Sequence, residues 1–236
     1  MKAMILSDLI IMRKYLAQQS VIGLALGILL AFVMENPYVV SPLISVTVSG
    51  NCAFTVLALD ERNGWERYRL ALPISRANVV SGRYASLAIA VAAGLVVGLV
   101  ASLAAMALAS AFMAMGYDVD AVRALGEGID PGAYTLSAPM GLLFITVALA
   151  VTLPLAMRSG MTKAVRFIPM TIVLVVILVS AAIGSNDALF VAEFLDGIFA
   201  DPNGPAMFAV VSLVGSIALY AVSAGIAARL YEAREM

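Results

Sequence analysis

The densest run of side chains able to do chemistry is Asp60-Glu61-Arg62-Asn63-Gly64-Trp65-Glu66-Arg67-Tyr68-Arg69-Leu70-Ala71-Leu72-Pro73-Ile74-Ser75-Arg76. Trp65, Tyr68, Arg69 and Leu72 recur at helical spacing and predict a short amphipathic helix with an aromatic and basic face. Arg62 and Glu66 form an i,i+4 pair of opposite charge on its other side. Pro73 pushes Leu72 toward an extended conformation and ends the helix. Ser75 is placed to cap the next one. Tryptophan, tyrosine and arginine are the types most enriched at binding hot spots. The chemistry expected here is recognition of a soluble partner. The plainer reading is a loop whose aromatic and basic residues anchor the edge of a membrane.

Catalytic chemistry has little to draw on. The chain has no histidine and a single cysteine, Cys52. Histidine-based acid–base catalysis and catalytic triads are excluded. A zinc site would lack its nitrogen ligands and a second thiolate. No glycine run ends in Gly-Lys-Ser or Gly-Lys-Thr, so the chain carries no phosphate-binding loop. Asp118 and Asp120 lack the further ligands of a calcium loop. A second polar set lies in an otherwise apolar stretch: Ser41, Ser45, Thr47, Ser49, Asn51 and Thr55. Thr47, Asn51 and Thr55 share one helical face. Hydroxyls in such a place usually bond back to their own helix. An amide needs partners, so Asn51 is expected to face the interior, as a strut between helices or as part of a substrate path.

The elements that hold these groups follow from composition. Of 236 residues, 63% are hydrophobic and only 12% are charged, about half the charged share of a soluble domain. Lipid must therefore be the solvent for much of the surface. The net charge of -1 gives no field to attract nucleic acid. A helix crosses the hydrocarbon core with about 20 apolar residues. Six stretches qualify, at residues 18–35, 38–59, 84–115, 138–157, 167–184 and 206–228. The fold class is thus an all-α membrane protein of about six transmembrane helices in one domain, residues 1–236. Residues 1–17 mix Leu6, Leu9, Ile10 and Leu16 with Lys2, Asp8, Arg13 and Lys14. They predict an amphipathic interfacial helix ahead of the first span. Gly23-xxx-Gly27 and Gly94-xxx-Gly98 are small-residue faces for close helix packing, within one subunit or at a subunit seam.

Basic residues set the orientation. With the N-terminus inside, Lys2, Arg13, Lys14, Arg62, Arg67, Arg69, Arg76, Arg83, Arg158, Lys163, Arg166, Arg229 and Arg234 all fall on the cytoplasmic side, and only Arg123 falls outside. That asymmetry predicts cytoplasmic termini. It predicts cytoplasmic segments at 60–83 and 158–166, and extracellular loops at 116–137 and 185–205. In the second of those loops Phe190, Phe194 and Ile198 mark a further interfacial helix. No Asp, Glu, Lys or Arg stands near the middle of a span, so proton or ion coupling has no carrier at membrane depth.

The run from Asp60-Glu61 through Gly64-Trp65-Glu66-Arg67-Tyr68 to Leu72-Pro73-Ile74-Ser75-Arg76 and Gly82-Arg83-Tyr84 resembles the cytoplasmic loop after the second span of ABC type 2 permeases. It is most similar to the small bacterial permeases of the phenol-soluble modulin exporter type. Leu153-Pro154-Leu155, Arg158-Ser159-Gly160 and Lys163-Ala164-Val165-Arg166-Phe167 resemble that subfamily's second cytoplasmic loop. The resemblance covers the whole chain in plan and about forty residues in motif.

It implies a permease in the bacterial cytoplasmic membrane, working as a dimer with an identical or homologous permease, each half seated on an ABC ATPase subunit that holds the ATP and magnesium. Asp60, Glu61, Trp65, Glu66, Tyr68, Arg69, Leu72, Pro73 and Arg76 would form the ATPase-coupling element. Arg158, Gly160 and Lys163 would make the second contact. Thr47, Asn51 and Thr55 are the candidates for the substrate path. The implied activity is ATP-driven export of an amphipathic or membrane-active peptide, lipid or drug, with no catalysis by this chain. A membrane scaffold or sensor that docks a cytoplasmic partner without transport is the alternative.

Overall fold

A computed structural model of the chain describes residues 2–63, 75–117, 119–126, 130–159, 197, 198, 200, 201 and 203–232. Among these the elements are all helical: α1 (Lys2–Met34), α2 (Pro37–Arg62), α3 (Arg76–Ala114), α4 (Asp120–Gly126), α5 (Pro131–Ser159) and α6 (Gly204–Glu232). All but α4 are long and apolar enough to cross a membrane. The expected span at 167–184 and the aromatic positions Phe190 and Phe194 lie outside the described residues.

Local chemistry explains the helix boundaries. Asn36 caps α2, its Oδ1 accepting the Tyr38 N–H at 3.0 Å, and Pro37 takes the first turn, where its missing N–H costs nothing. Only Glu35 and Asn36 separate α1 from α2, and Glu35 makes the turn at φ 53°. Ser75 caps α3 by accepting the Asn78 N–H at 3.3 Å, as the sequence predicted. α3 therefore begins at Arg76, two turns before the expected start of its span. α5 likewise begins at Pro131, ahead of the expected 138.

The N-terminal segment differs from its expected form. No turn separates residues 1–17 from the first span, because α1 is one helix from Lys2 to Met34. Nothing between Ala17 and Gln18 breaks it, since neither proline nor glycine stands near that point. The stripe that it buries against the rest of the protein carries an acid. Leu6 and Ile10 are exposed, while Met4, Asp8 and Met12, one turn apart, are buried. Met4 and Met12 pack in one core with Val56 and Leu57 of α2, Val79 and Val80 of α3, and Ala227 and Tyr231 of α6.

Lipid gives no hydrophobic drive for one helix to join another, so close packing must supply it. At Gly98 a Cβ would overlap the Ser41 carbonyl and Ser45 Oγ, and at Gly94 it would meet the Ser45 carbonyl oxygen at 2.9 Å. These glycines let α3 lie against the backbone of α2. Gly23 and Gly27 do the same for α1, facing Val48 of α2 and Ala101 of α3. Both small-residue pairs thus serve packing within this chain.

The contacts also fix direction. Asp8 meets Ser86, and Gly27 meets Ala101, so α1 and α3 are parallel. Ser49 meets Ala90, and Ser102 meets Pro37, so α2 runs against α3. Arg76 meets Glu232, and Tyr84 meets Ser223, so α6 also runs against α3. Gly141 packs on Pro42, and Gly50 faces Ile145, so α5 runs with α2 and hence with α6. The start of α1 and the end of α6 lie at the same end of the bundle.

Candidate functional site

The edges of the 60–83 segment are described, and they converge with two other helix ends. Asp60 and Glu61 close α2, and Arg76 opens α3. Trp65, Glu66, Tyr68, Arg69, Leu72 and Pro73 lie outside the described residues. Arg76 Nη1 donates to the Glu232 carbonyl of α6 at 2.9 Å. Two turns along α3, the Arg83 guanidinium lies between two carboxylates. Its Nη2 pairs with Asp60, and its Nη1 lies 3.4 Å from Asp8 Oδ2. Ser86 Oγ, one turn further on α3, donates to the same Asp8 oxygen at 3.0 Å.

Burial makes this cluster unusual. Arg83 is 1% exposed and Asp8 0%, and the Asp60 side chain is 13% exposed. A charge out of water costs several kcal/mol unless it is paired and hydrogen-bonded. Among the described residues Arg83 Nε and Nη1 have no hydrogen-bond partner, so charge attraction to the carboxylates carries much of the compensation. In the sequence Arg83 reads as a topology marker within the Gly82-Arg83-Tyr84 motif, and Asp8 as part of the polar side of an interfacial helix. No local pattern joins residues this far apart in the chain. One signal was available: Asp8 sits between Met4 and Met12 at i±4, an acid on an apolar stripe.

A second knot is built on the next residue of α3, Tyr84. The Tyr84 and Ser223 hydroxyls are 2.9 Å apart, Ser223 Oγ donates to the Ala150 carbonyl of α5 at 3.0 Å, and Tyr220 Oη donates to the Tyr84 carbonyl at 2.8 Å. The Tyr84 and Tyr220 rings pack with centroids 4.9 Å apart. This knot joins α3, α5 and α6 just beside the cluster that joins α1, α2 and α3.

The polar stripe of α2 is placed differently from the expectation. Thr47 Oγ1 bonds back to the Leu43 carbonyl at 2.8 Å and Thr55 Oγ1 to the Asn51 carbonyl at 2.7 Å. Asn51 Nδ2 crosses to Gln19 Oε1 of α1 at 3.2 Å, while Asn51 and Thr47 are exposed. Asn51 is therefore a strut between α1 and α2 on the outside of the bundle, and Gln19 is a partner that sequence reasoning missed. Cys52, next to it, is fully buried.

Elsewhere, α3, α5 and α6 border a half-open pocket of about 440 Å³, lined mainly by apolar groups such as Val91, Leu95, Leu142 and Leu213. The buried Ser216 hydroxyl on its wall has no hydrogen-bond partner among the described residues. At the end of α5 Arg158 is exposed, and Gly160 and Lys163 lie outside the described residues.

Comparison with family models gives a match to the ABC-2 family transporter protein over residues 3–122. The chain belongs to that family. The matched residues span α1, α2, α3 and the start of α4, and so contain Asp8, Asp60 and Arg83. No curated protein and no solved structure matches the chain. Membership together with the long apolar helices makes the protein a multi-pass membrane permease component of an ABC transporter. Permeases of this family are in general non-catalytic subunits that work with an ABC ATPase.

Proposed function

We propose that this ABC-2 permease exports an amphipathic or membrane-active substrate, a peptide, lipid or drug, from the cytoplasm of a bacterium. It works as a dimer in the cytoplasmic membrane, and ATP and magnesium are held by the partner ATPase. The 60–83 segment is the ATPase-coupling element, with Trp65, Tyr68 and Arg69 as its anchors. The end of the bundle that gathers Asp60, Arg76, Arg83 and Glu232 faces the cytoplasm, as do both termini. Likeness to the modulin-exporter permeases favours a membrane-active peptide among the substrates.

The observation that carries this reading is the family match through residues 3–122, which runs across the segment. The basic asymmetry supports the orientation. The α1–α2 face bearing Gln19, Thr47, Asn51 and Thr55 supports a substrate path or permease seam there, because exposed amides at mid-helix are costly against lipid.

The test compares Trp65→Ala/Arg69→Ala with Lys163→Ala for ATPase co-purification and substrate-stimulated hydrolysis. The first variant should lose both, since truncating such an anchor costs about 2 kcal/mol or more of binding. The second should lose less. If Lys163→Ala alone abolishes assembly, the coupling role belongs to the 158–166 loop. If the ATPase assembles and no candidate substrate changes its hydrolysis or crosses the membrane, the protein is a scaffold or sensor.

A further inference from the structure

Three helices that are far apart in sequence are joined at one guanidinium. Asp60 stands at the last turn of α2, where the chain enters the 60–83 segment. Arg83 stands on α3, where the chain leaves it. Asp8 comes from the start of α1. The two terminal nitrogens of Arg83 are divided between the carboxylates, Nη2 on Asp60 and Nη1 on Asp8. All three side chains are withdrawn from solvent, and Ser86 holds Asp8 from the α3 side at 3.0 Å. A planar guanidinium presents its donors to two carboxylates in a fixed fork, whereas an ammonium is a point charge on a flexible stem that can pair with both without fixing their geometry. The apolar residues around the cluster come from these three helices, Met4 and Met12, Val56 and Leu57, Val79 and Val80, and from α6, Ala227 and Tyr231.

We infer that Arg83 is a positioning residue that clasps the two ends of the 60–83 segment to each other and to the start of α1. A displacement of the segment then moves α1, α2 and α3 as one body. The first turns of α1 belong to the coupling machinery in this arrangement. The inference rests on the proposal that the ATPase docks on the 60–83 segment, but the clasp itself can be measured without the ATPase.

Two variants separate the clasp from simple folding. Arg83→Lys keeps one positive charge and gives up the two-armed bridge. Asp8→Asn/Asp60→Asn/Arg83→Gln removes all three charges together, which spares the fold the burden of an uncompensated buried charge. In a Cys52→Ser background, spin labels at the exposed positions Ile10 of α1 and Arg62 of α2 report the distance between those helix ends in the isolated permease. The unmodified clasp should give one narrow distance distribution, and both variants should broaden it. In the assembled transporter both should retain the ATPase while substrate stimulation of hydrolysis falls about tenfold, within the range of ordinary coupling free energies. A narrow, unshifted distance distribution in both variants, or wild-type stimulation in both, overturns the clasp. An ATPase that fails to bind even the unmodified permease overturns the docking proposal instead, and the label distances still decide the clasp.

Discussion

The two ends of this helical bundle are held by different physics. At one end α1, α2 and α3 meet through the buried charges of Asp8, Asp60 and Arg83, and α6 joins by the bond from Arg76 to the Glu232 carbonyl. At the other end the ties are neutral and run mostly to the backbone. Ser102 Oγ donates to the Pro37 carbonyl at 2.7 Å, Tyr134 Oη to the Leu99 carbonyl at 3.3 Å, and the Asp130 N–H to Tyr38 Oη at 2.8 Å. Phe32, Phe112 and Tyr117 add edge-on ring contacts. Neutral bonds of this kind contribute about 1 kcal/mol each and fail gradually. A buried charge cluster is all or nothing, because any member left alone is heavily penalised. The charged end is therefore specific in register, and the neutral end is tolerant.

That contrast can be broken in order of expected effect. Arg83→Ala removes the cation between two carboxylates and should cost about 3–5 kcal/mol, read as a large fall in the thermal midpoint in detergent. Gly98→Leu, on the seam that both ends share, drives a side chain into the Ser41 carbonyl and should cost about 1–3 kcal/mol, with looser α2–α3 packing in cysteine cross-linking. Ser102→Ala at the neutral end should cost only about 1 kcal/mol by the same thermal assay. A loss there as large as that of Arg83→Ala would mean that the two ends are not different in kind. The smallest effect has the opposite sign. Glu35 occupies a left-handed conformation that costs an L-residue about 1–2 kcal/mol. Glu35→Gly should therefore raise stability slightly, by less than that amount, since glycine also loses more freedom on folding.

Much of the plan was legible in the sequence because it depends on local properties. Hydropathy located α2, α3, α5 and α6 to within a few residues at most of their ends. The Ser75 cap and the packing role of Gly94 and Gly98 depend only on short-range geometry. What escaped was the set of relations across long stretches of chain. Asp8 and Arg83 look like surface residues when each is read among its neighbours, and only folding brings the two of them together with Asp60. Gln19 escaped for the same reason, its partner Asn51 being on another helix. The break expected at residue 17 failed because amphipathic character argues for an environment and does not end a helix.

α3 crosses the whole bundle as 39 uninterrupted helical residues, about 58 Å long at the ordinary rise. It carries no proline, while α2 holds Pro42 and α5 holds Pro139 and Pro154. Bending in helices concentrates at such breaks, so α3 lacks the proline joints that α2 and α5 carry. A tilt of about 5° at its charged end displaces its opposite tip by about 5 Å, nearly the pitch of one helical turn.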